Sequence, residues 1–158
     1  MSQANDESLA EFPVVVEFPI QWGDQDALAH VNNVIYFRWW ETSRVTYARK
    51  IGLFGGDTFP PDGPRIGSVL AGMQCNFRKQ LVWPDTVQVG TRAKRIGTSS
   101  LELEHRLLSS NVQGLIADAV SVMVAFDFDA QHTIPVADTT RAAIRLLEGT
   151  RSVAGLAE

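Results

Sequence analysis

The chain has 158 residues, with 14 Lys and Arg against 18 Asp and Glu, a formal net charge of −4, and 45% hydrophobic and 20% charged content. That length suits one domain with short tails, and the composition is that of a chain that buries a core rather than a disordered or collagen-like one. The acidic balance argues against a nucleic-acid surface, apolar runs such as Val120 to Phe126 fall far short of the roughly 18 to 20 residues of a bilayer span, the N-terminus lacks a signal-peptide layout, and the single Cys75 excludes an internal disulfide, so a soluble cytoplasmic protein is expected.

Residues 1–11 are polar and mixed in charge and read as a loose tail, as do residues 150–158; the domain between them spans 12–149. Val14, Val16, Phe18, Ile20 and Trp22 alternate with Val15, Glu17, Pro19 and Gln21, a period of two that predicts a strand, and Pro19 marks it as an edge or strand end. After the turn-rich GDQDALAHVNN, residues 34–51 contain neither Gly nor Pro. They carry apolar side chains on nearly every side of their first half, which predicts a helix buried all round. Arg49 and Lys50 in its last turn, Gly52 after it and Leu53 beyond form a helix stop.

Residues 54–67 are rich in Gly, Pro and Asp and read as a surface loop. Strand-like alternation follows in Met73–Arg78, Val87–Lys94 and Leu101–Leu107, and Ile116–Phe128 has the covered-on-both-faces pattern of a central strand. A closing helix starts with Asp138 as N-cap and stops at Gly149. The order strand, helix, four strands, helix predicts an α+β fold with a mostly antiparallel five-stranded sheet around the long helix. One helix and five strands do not hide every apolar residue, so a homodimer, or a tetramer built from dimers, is expected.

Chemistry concentrates in Trp22 to Asn33, between a strand end and a helix start. The first turn of a helix leaves orphan N–H donors and a positive dipole end, and a carboxylate just upstream meets the same spot. Asp26 can then serve as nucleophile or general base, with backbone N–H groups near Asn33 and Val34 stabilising an oxyanion. A thiolate leaves without strong acid assistance, so such a site suits thioesters better than amides. The same Asp24, Asp26, Asn32 and Asn33 also read as turn and helix caps, and His30 as a histidine that fixes the loop. Asp24, Asp26 and His30 alone make a poor metal site because no second His or Cys lies near, and no metal is expected. No G-x-S-x-G, P-loop or G-x-G-x-x-G occurs. Arg92, Lys94 and Arg95, with the Gly97-Thr98-Ser99 turn, read either as a solvated strand face or as a phosphate-binding patch.

At WGDQDALAHVNNVIYFRWWETSR, Trp22 to Arg44, the sequence resembles the acyl-CoA thioesterases of the 4-hydroxybenzoyl-CoA thioesterase family, which have the hotdog fold. The pattern is aromatic-Gly-Asp-x-Asp, a short loop, His-Val-Asn-Asn, then Tyr and a helix with an acidic residue and an Arg. Weaker similarity extends over about residues 12–148. The resemblance implies hydrolysis of an acyl-CoA thioester to free acid and thiol, with Asp26 as the catalytic carboxylate and Asn33 as the oxyanion donor. It places His30, Asn32, Tyr36 and Glu41 at substrate-contacting or bracing positions. It also implies that Arg92, Lys94, Arg95 and Ser99 hold the coenzyme A handle, often across a dimer. Coenzyme A belongs to the substrate, so no cofactor is implied. Ala29 departs from the Gly that many relatives carry before the His, which narrows the loop backbone.

Two other readings stand beside this one. A hotdog hydratase or dehydratase would want Asp and His five residues apart, whereas Asp24 and Asp26 precede His30 by six and four. A non-catalytic acyl-CoA sensor or interaction protein would keep the fold without the chemistry; the intact Asp26 argues against it.

Overall fold

The computed structural model describes residues 8–53 and 62–156. Residues 1–7 of the expected N-terminal tail, 54–61 of the expected surface loop and the last two residues of the expected C-terminal tail lie outside them. Strand β1 (Val14–Pro19) leads through a single 3-10 turn (Trp22–Asp24) to α1 (Asn33–Lys50). Then come β2 (Ile66–Phe77), β3 (Thr86–Ile96), β4 (Ser100–Ser109), β5 (Ala117–Asp127), the short β6 (His132–Thr133) and α2 (Asp138–Glu148). The sheet is antiparallel throughout, in the order β1-β3-β4-β5-β2, with β6 paired to the end of β5. This is the expected α+β plan. Pro19, which has no N–H to give a ladder, is the last residue of edge strand β1.

Strand β2 begins at Ile66, earlier than the alternation from Met73 suggested. Gly67, Ala71 and Gly72 erase the period there, and a register shift between Leu70 and Gly72 breaks it again. At α2, Asp138 is the first helical residue rather than the cap; Ala137 holds the cap position without a side-chain bond, and Gly149, at φ +64°, ends the helix as read.

Helix α1 is not buried all round. The sheet covers one side, burying Tyr36, Trp39, Trp40, Ser43, Arg44, Tyr47 and Ala48, while Val34, Phe37, Arg38, Glu41 and Thr42 stay exposed. A single sheet reaches only part of a helix circumference, so the apolar residues on the far side have no cover among the described residues. Beneath the helix, β5 turns small residues inward, Ala117, Ala119, Ser121 and Ala125, all buried; this leaves room for the Trp40 indole.

The core falls into two lobes. One gathers Tyr36, Trp39, Trp40, Leu81, Val89 and Leu107; the other gathers Tyr47, Ile51, Ala93, Leu103, Met123 and Ile144. Between them a polar row crosses from helix to sheet: Ser43 Oγ to Thr91 Oγ1 at 2.5 Å, Thr91 Oγ1 to His105 Nδ1 at 2.8 Å, and His105 Nε2 to Ser121 Oγ at 2.8 Å. Every member is buried and hydrogen-bonded, which is the condition for a polar group to be tolerated in a core. Burial, with the nearby Arg44 charge, pushes the His105 imidazole down to about 3, so it is neutral.

The described parts of both expected tails are docked rather than loose. Phe12 and Leu9 lie over Gly90 of β3, where a Cβ would come within 2.7 Å of Phe12 and 2.8 Å of Leu9, so the bare backbone makes the seat. At the other terminus, Val153 is buried and the Ile96 N–H donates to the Ala154 carbonyl at 2.8 Å. Both dockings are long-range contacts that local polarity does not announce. No helix among the described residues is long and apolar enough to cross a membrane.

Candidate active site

The segment from Ile20 to Asn33 folds as a small hairpin set against the start of β3. The Ile20 N–H donates to the Asp85 carbonyl and the Val31 N–H to the Leu81 carbonyl, both at 2.9 Å. Within the hairpin the Asn32 N–H meets the Asp24 carbonyl at 2.9 Å, Gln25 bridges Val31, and the Asp26 N–H meets the His30 carbonyl at 3.0 Å. Asp26 closes the tip: its Oδ1 accepts the Leu28 N–H at 2.8 Å and its carbonyl accepts the Ala29 N–H at 3.0 Å. Ala29 sits at φ +61°, the left-handed region that a side chain disfavours. This is the position at which Gly was expected from the resemblance, and its physical reason is now visible.

Capping roles are real for some of these residues. Asp24 Oδ2 accepts the Gln21 N–H at 2.7 Å, and Asn32 Oδ1 accepts the Val34 N–H at 3.0 Å as the N-cap of α1. The Val34 N–H is therefore engaged by the helix cap. The Ile35 N–H is also engaged, by the Asn32 carbonyl at 2.9 Å, whereas the Asn33 N–H at the exposed first position of the helix meets no acceptor among the described residues. Asp26 also caps a turn. One carboxylate oxygen fixes the turn; the other, Oδ2, receives no donor among the described residues. Asp26 lies opposite His30, so Asn33 stands three positions further along the hairpin, roughly 10 Å along its arm.

An aromatic ladder holds this helix terminus still. Phe77 of β2 meets the Tyr36 ring edge-on at 5.0 Å, Tyr36 meets Trp39 at 5.3 Å, and Trp39 stacks on Phe18 of β1 at 6.2 Å. Tyr36 is buried in that ladder, and burial beside Cys75 pushes its phenol up to about 12, so it stays protonated. Phe77 also lines an open cleft of about 570 Å³ with Arg78, Lys79, Gln80 and Val112. The Gln25 side chain ties the hairpin to the β2–β3 connection by accepting the Trp83 N–H at 3.1 Å, and Trp83 meets the exposed Trp22 ring edge-on at 5.2 Å. Phe77, Gln25 and Trp83 were not picked out from the sequence. Only the Trp-Pro pair and an exposed-aromatic count could have signalled them.

The expected coenzyme A residues lie elsewhere. Arg92 is held on the outer face of the sheet by Glu104 at 2.6 Å and Glu11 at 2.8 Å, with its guanidinium over the Phe12 ring. Lys94 pairs with Glu102 at 2.6 Å on an exposed strand end, Arg95 is exposed with no ion pair among the described residues, and Ser99 occupies the β3–β4 turn. From Asp85, just before β3 at the hairpin end, to Lys94 near the other end of β3 is roughly 30 Å at about 3.3 Å per residue. Asp26, His30, Asn32, Asn33 and Tyr36 thus lie on the hairpin and the first turn of α1, and Lys94, Arg95 and Ser99 at the other end of β3. Glu41 projects from the exposed side of α1, about 12 Å along the helix from Asn33. Among the described residues no three His, Cys, Asp or Glu side chains converge as a metal ligand set.

The profile of the thioesterase-like superfamily matches residues 20–144. Among solved structures, the PA2801 protein of Pseudomonas aeruginosa, a thioesterase by assignment, is 34% identical with a TM-score of 0.72, over 84% of this chain and 98% of that one. A thioesterase of Thermus thermophilus in complex with coenzyme A and zinc is 28% identical with a TM-score of 0.75, over 90% and 99%. The YsmA protein of Bacillus subtilis is 24% identical over 95 residues, and the match spans 60% of this chain and 59% of YsmA.

Proposed function

The chain belongs to the thioesterase-like superfamily with the hotdog fold, and from that premise we propose that it hydrolyses an acyl-CoA or closely related acyl thioester to free acid and thiol. The observation that carries the reading is the hairpin tip. Asp26 is oriented through Oδ1 by the Leu28 N–H, its Oδ2 meets no donor among the described residues, and the same hairpin ends in the Asn33 N–H that begins α1. In this reading Oδ2 acts on the thioester carbonyl, either by activating water or by attacking carbon directly. The Asn33 N–H and the helix dipole then stabilise the oxyanion. The aromatic ladder through Tyr36 keeps the donor fixed, as preorganised stabilisation requires. The thiolate leaves unassisted.

Coenzyme A as the thiol carrier draws support from the Thermus thermophilus relative, whose structure holds that molecule. Lys94, Arg95 and Ser99 are the chain's candidates for its phosphates, and a second copy supplies them. A homodimer in which two β2 edges run antiparallel sets the hairpin end of one chain beside the β3–β4 end of the other, so the composite site needs both. A soluble, cytoplasmic setting suits such a substrate.

The test is free-thiol release from short, long and aromatic acyl-CoAs by wild type and Asp26→Asn. The expected result is turnover by wild type that falls at least about a hundredfold in the variant. Tight acyl-CoA binding without turnover by wild type would instead favour a non-catalytic sensor.

A further inference from the structure

Arg44 is a buried group whose donors are mostly unmatched among the described residues. Its side chain is 7% exposed, and a guanidinium carries five N–H donors. Among the described residues it makes one hydrogen bond, to the Met73 thioether sulfur at 3.9 Å. The nearest carboxylate oxygen, Glu41 Oε2, is 3.8 Å away, outside hydrogen-bond reach, on a side chain that is 70% exposed. A desolvated cation matched only by a thioether sulfur and by an exposed carboxylate beyond hydrogen-bond reach is costly, so its surroundings call for a closer carboxylate than the described residues supply.

The position of Arg44 says where that carboxylate comes from. It packs against Met73 in the middle of β2, a strand paired with β5 on one edge and with no described strand on the other. Beside that free edge lies the uncovered side of α1, with exposed Val34 and Phe37 followed by Glu41. A free strand edge, an apolar strip and a half-matched ion pair together form a surface that a second copy completes. The charges are self-complementary. When two α1 helices meet antiparallel about a two-fold axis, an acid and a base three residues apart on one helix face the base and the acid of the other. The midpoint between Glu41 and Arg44 lies one residue from the midpoint of α1, so pairing there also brings the two helices into full overlap.

We infer that Arg44 takes Glu41 of the partner subunit as its acceptor, reciprocally, across the two-fold axis of a homodimer. This rests on the dimer reading above and adds the residues that fix its register and direction. A parallel or shifted pairing sets like charges opposite each other or leaves the buried guanidinium unmatched, and that penalises the wrong assemblies.

The test is a charge exchange in trans, read by sedimentation equilibrium. Glu41→Arg gives a chain with two cations at this spot and Arg44→Glu a chain with two anions. Each alone is expected to self-associate at least about a hundredfold more weakly than wild type, while an equimolar mixture restores both pairs and forms a heterodimer within about tenfold of wild-type affinity. Arg44→Glu alters a buried position, so Glu41→Gln is measured beside it. That side chain is exposed in the single chain, and the variant is expected to fold normally and weaken self-association at least about tenfold. Unchanged self-association of Glu41→Gln overturns the inference, as does a mixture of two folded charge variants that associates no better than either alone. A wild-type dimer indifferent to both residues leaves the dimer reading standing, whereas a wild type that is monomeric at every concentration removes both.

Discussion

Asp26 and Glu148 are carboxylates at opposite ends of the sheet, and the fold treats them in opposite ways. Glu148, buried at the end of α2, has every oxygen engaged: Oε1 accepts the Tyr47 hydroxyl and the Ala93 N–H, both at 2.6 Å, and Oε2 accepts Arg151 Nε at 3.1 Å. The bulge between Ala93 and Arg95 releases that N–H from the ladder, and Arg151 also donates to the Ala93 carbonyl. Asp26 has one oxygen engaged and one open. The difference is a working criterion. A carboxylate whose acceptors are all matched holds the fold together, while one that is oriented but incompletely matched is available for chemistry.

This contrast can be broken or sharpened by experiment, beginning with the largest effect. Glu148→Ala leaves Arg151 and the Ala93 N–H without their partner and is expected to cost about 3 kcal/mol in urea unfolding, the lower end for a broken buried pair because Arg151 keeps some exposure. A loss under 1 kcal/mol, an order-of-magnitude threshold for a single net hydrogen bond, would remove Glu148 as the example of a structural carboxylate.

Between the two ends, the neutral His105 adds a pH dependence of defined sign. Its folded value near 3 lies below the ordinary 6.5 of an unfolded chain, so between those values the unfolded state holds the extra proton. Stability is therefore lost as pH falls from about 6.5 toward 3, by up to about 1.4 kcal/mol per pH unit from this group. His105→Gln should flatten that part of the stability curve relative to wild type; parallel curves would show that the imidazole does not titrate on unfolding.

At the far end, replacing Lys94 and Arg95 together by Ala should raise KM for an acyl-CoA about tenfold and leave a small thioester lacking the nucleotide unaffected. Equal changes for both substrates would place the phosphates elsewhere. The smallest effect belongs to Ala29→Gly. Relief of the left-handed strain outweighs the extra chain entropy only slightly, so a gain of at most about 1 kcal/mol in unfolding free energy is expected.

What the residues announced and what they hid divides along the same physical line. Helix α1 and its stop were legible because Arg49, Lys50 and Gly52 act locally, and β3 to β5 because their alternation is local too. The turns from Gly23 to Asn33 and the capping of α1 by Asn32 were legible because they join residues close in sequence. Contacts across the chain were not. Nothing near Arg92 in sequence foretells the clamp of Glu11, Phe12 and Glu104, and nothing near Glu148 foretells Tyr47 or the Ala93 bulge. The bare face of α1 was hidden for another reason. Val34 and Phe37 read as core because they are apolar, and only the extent of the sheet reveals that the described residues leave them uncovered.

The measurement that bears most directly on the comparison is acyl-CoA hydrolysis by wild type, Asp26→Asn and Glu148→Ala, each scaled to folded protein and paired with its melting temperature. The account predicts that Asp26→Asn melts like wild type and turns over at least about a hundredfold more slowly, while Glu148→Ala melts lower and turns over at a near wild-type rate per folded molecule. Near wild-type turnover by folded Asp26→Asn would contradict it.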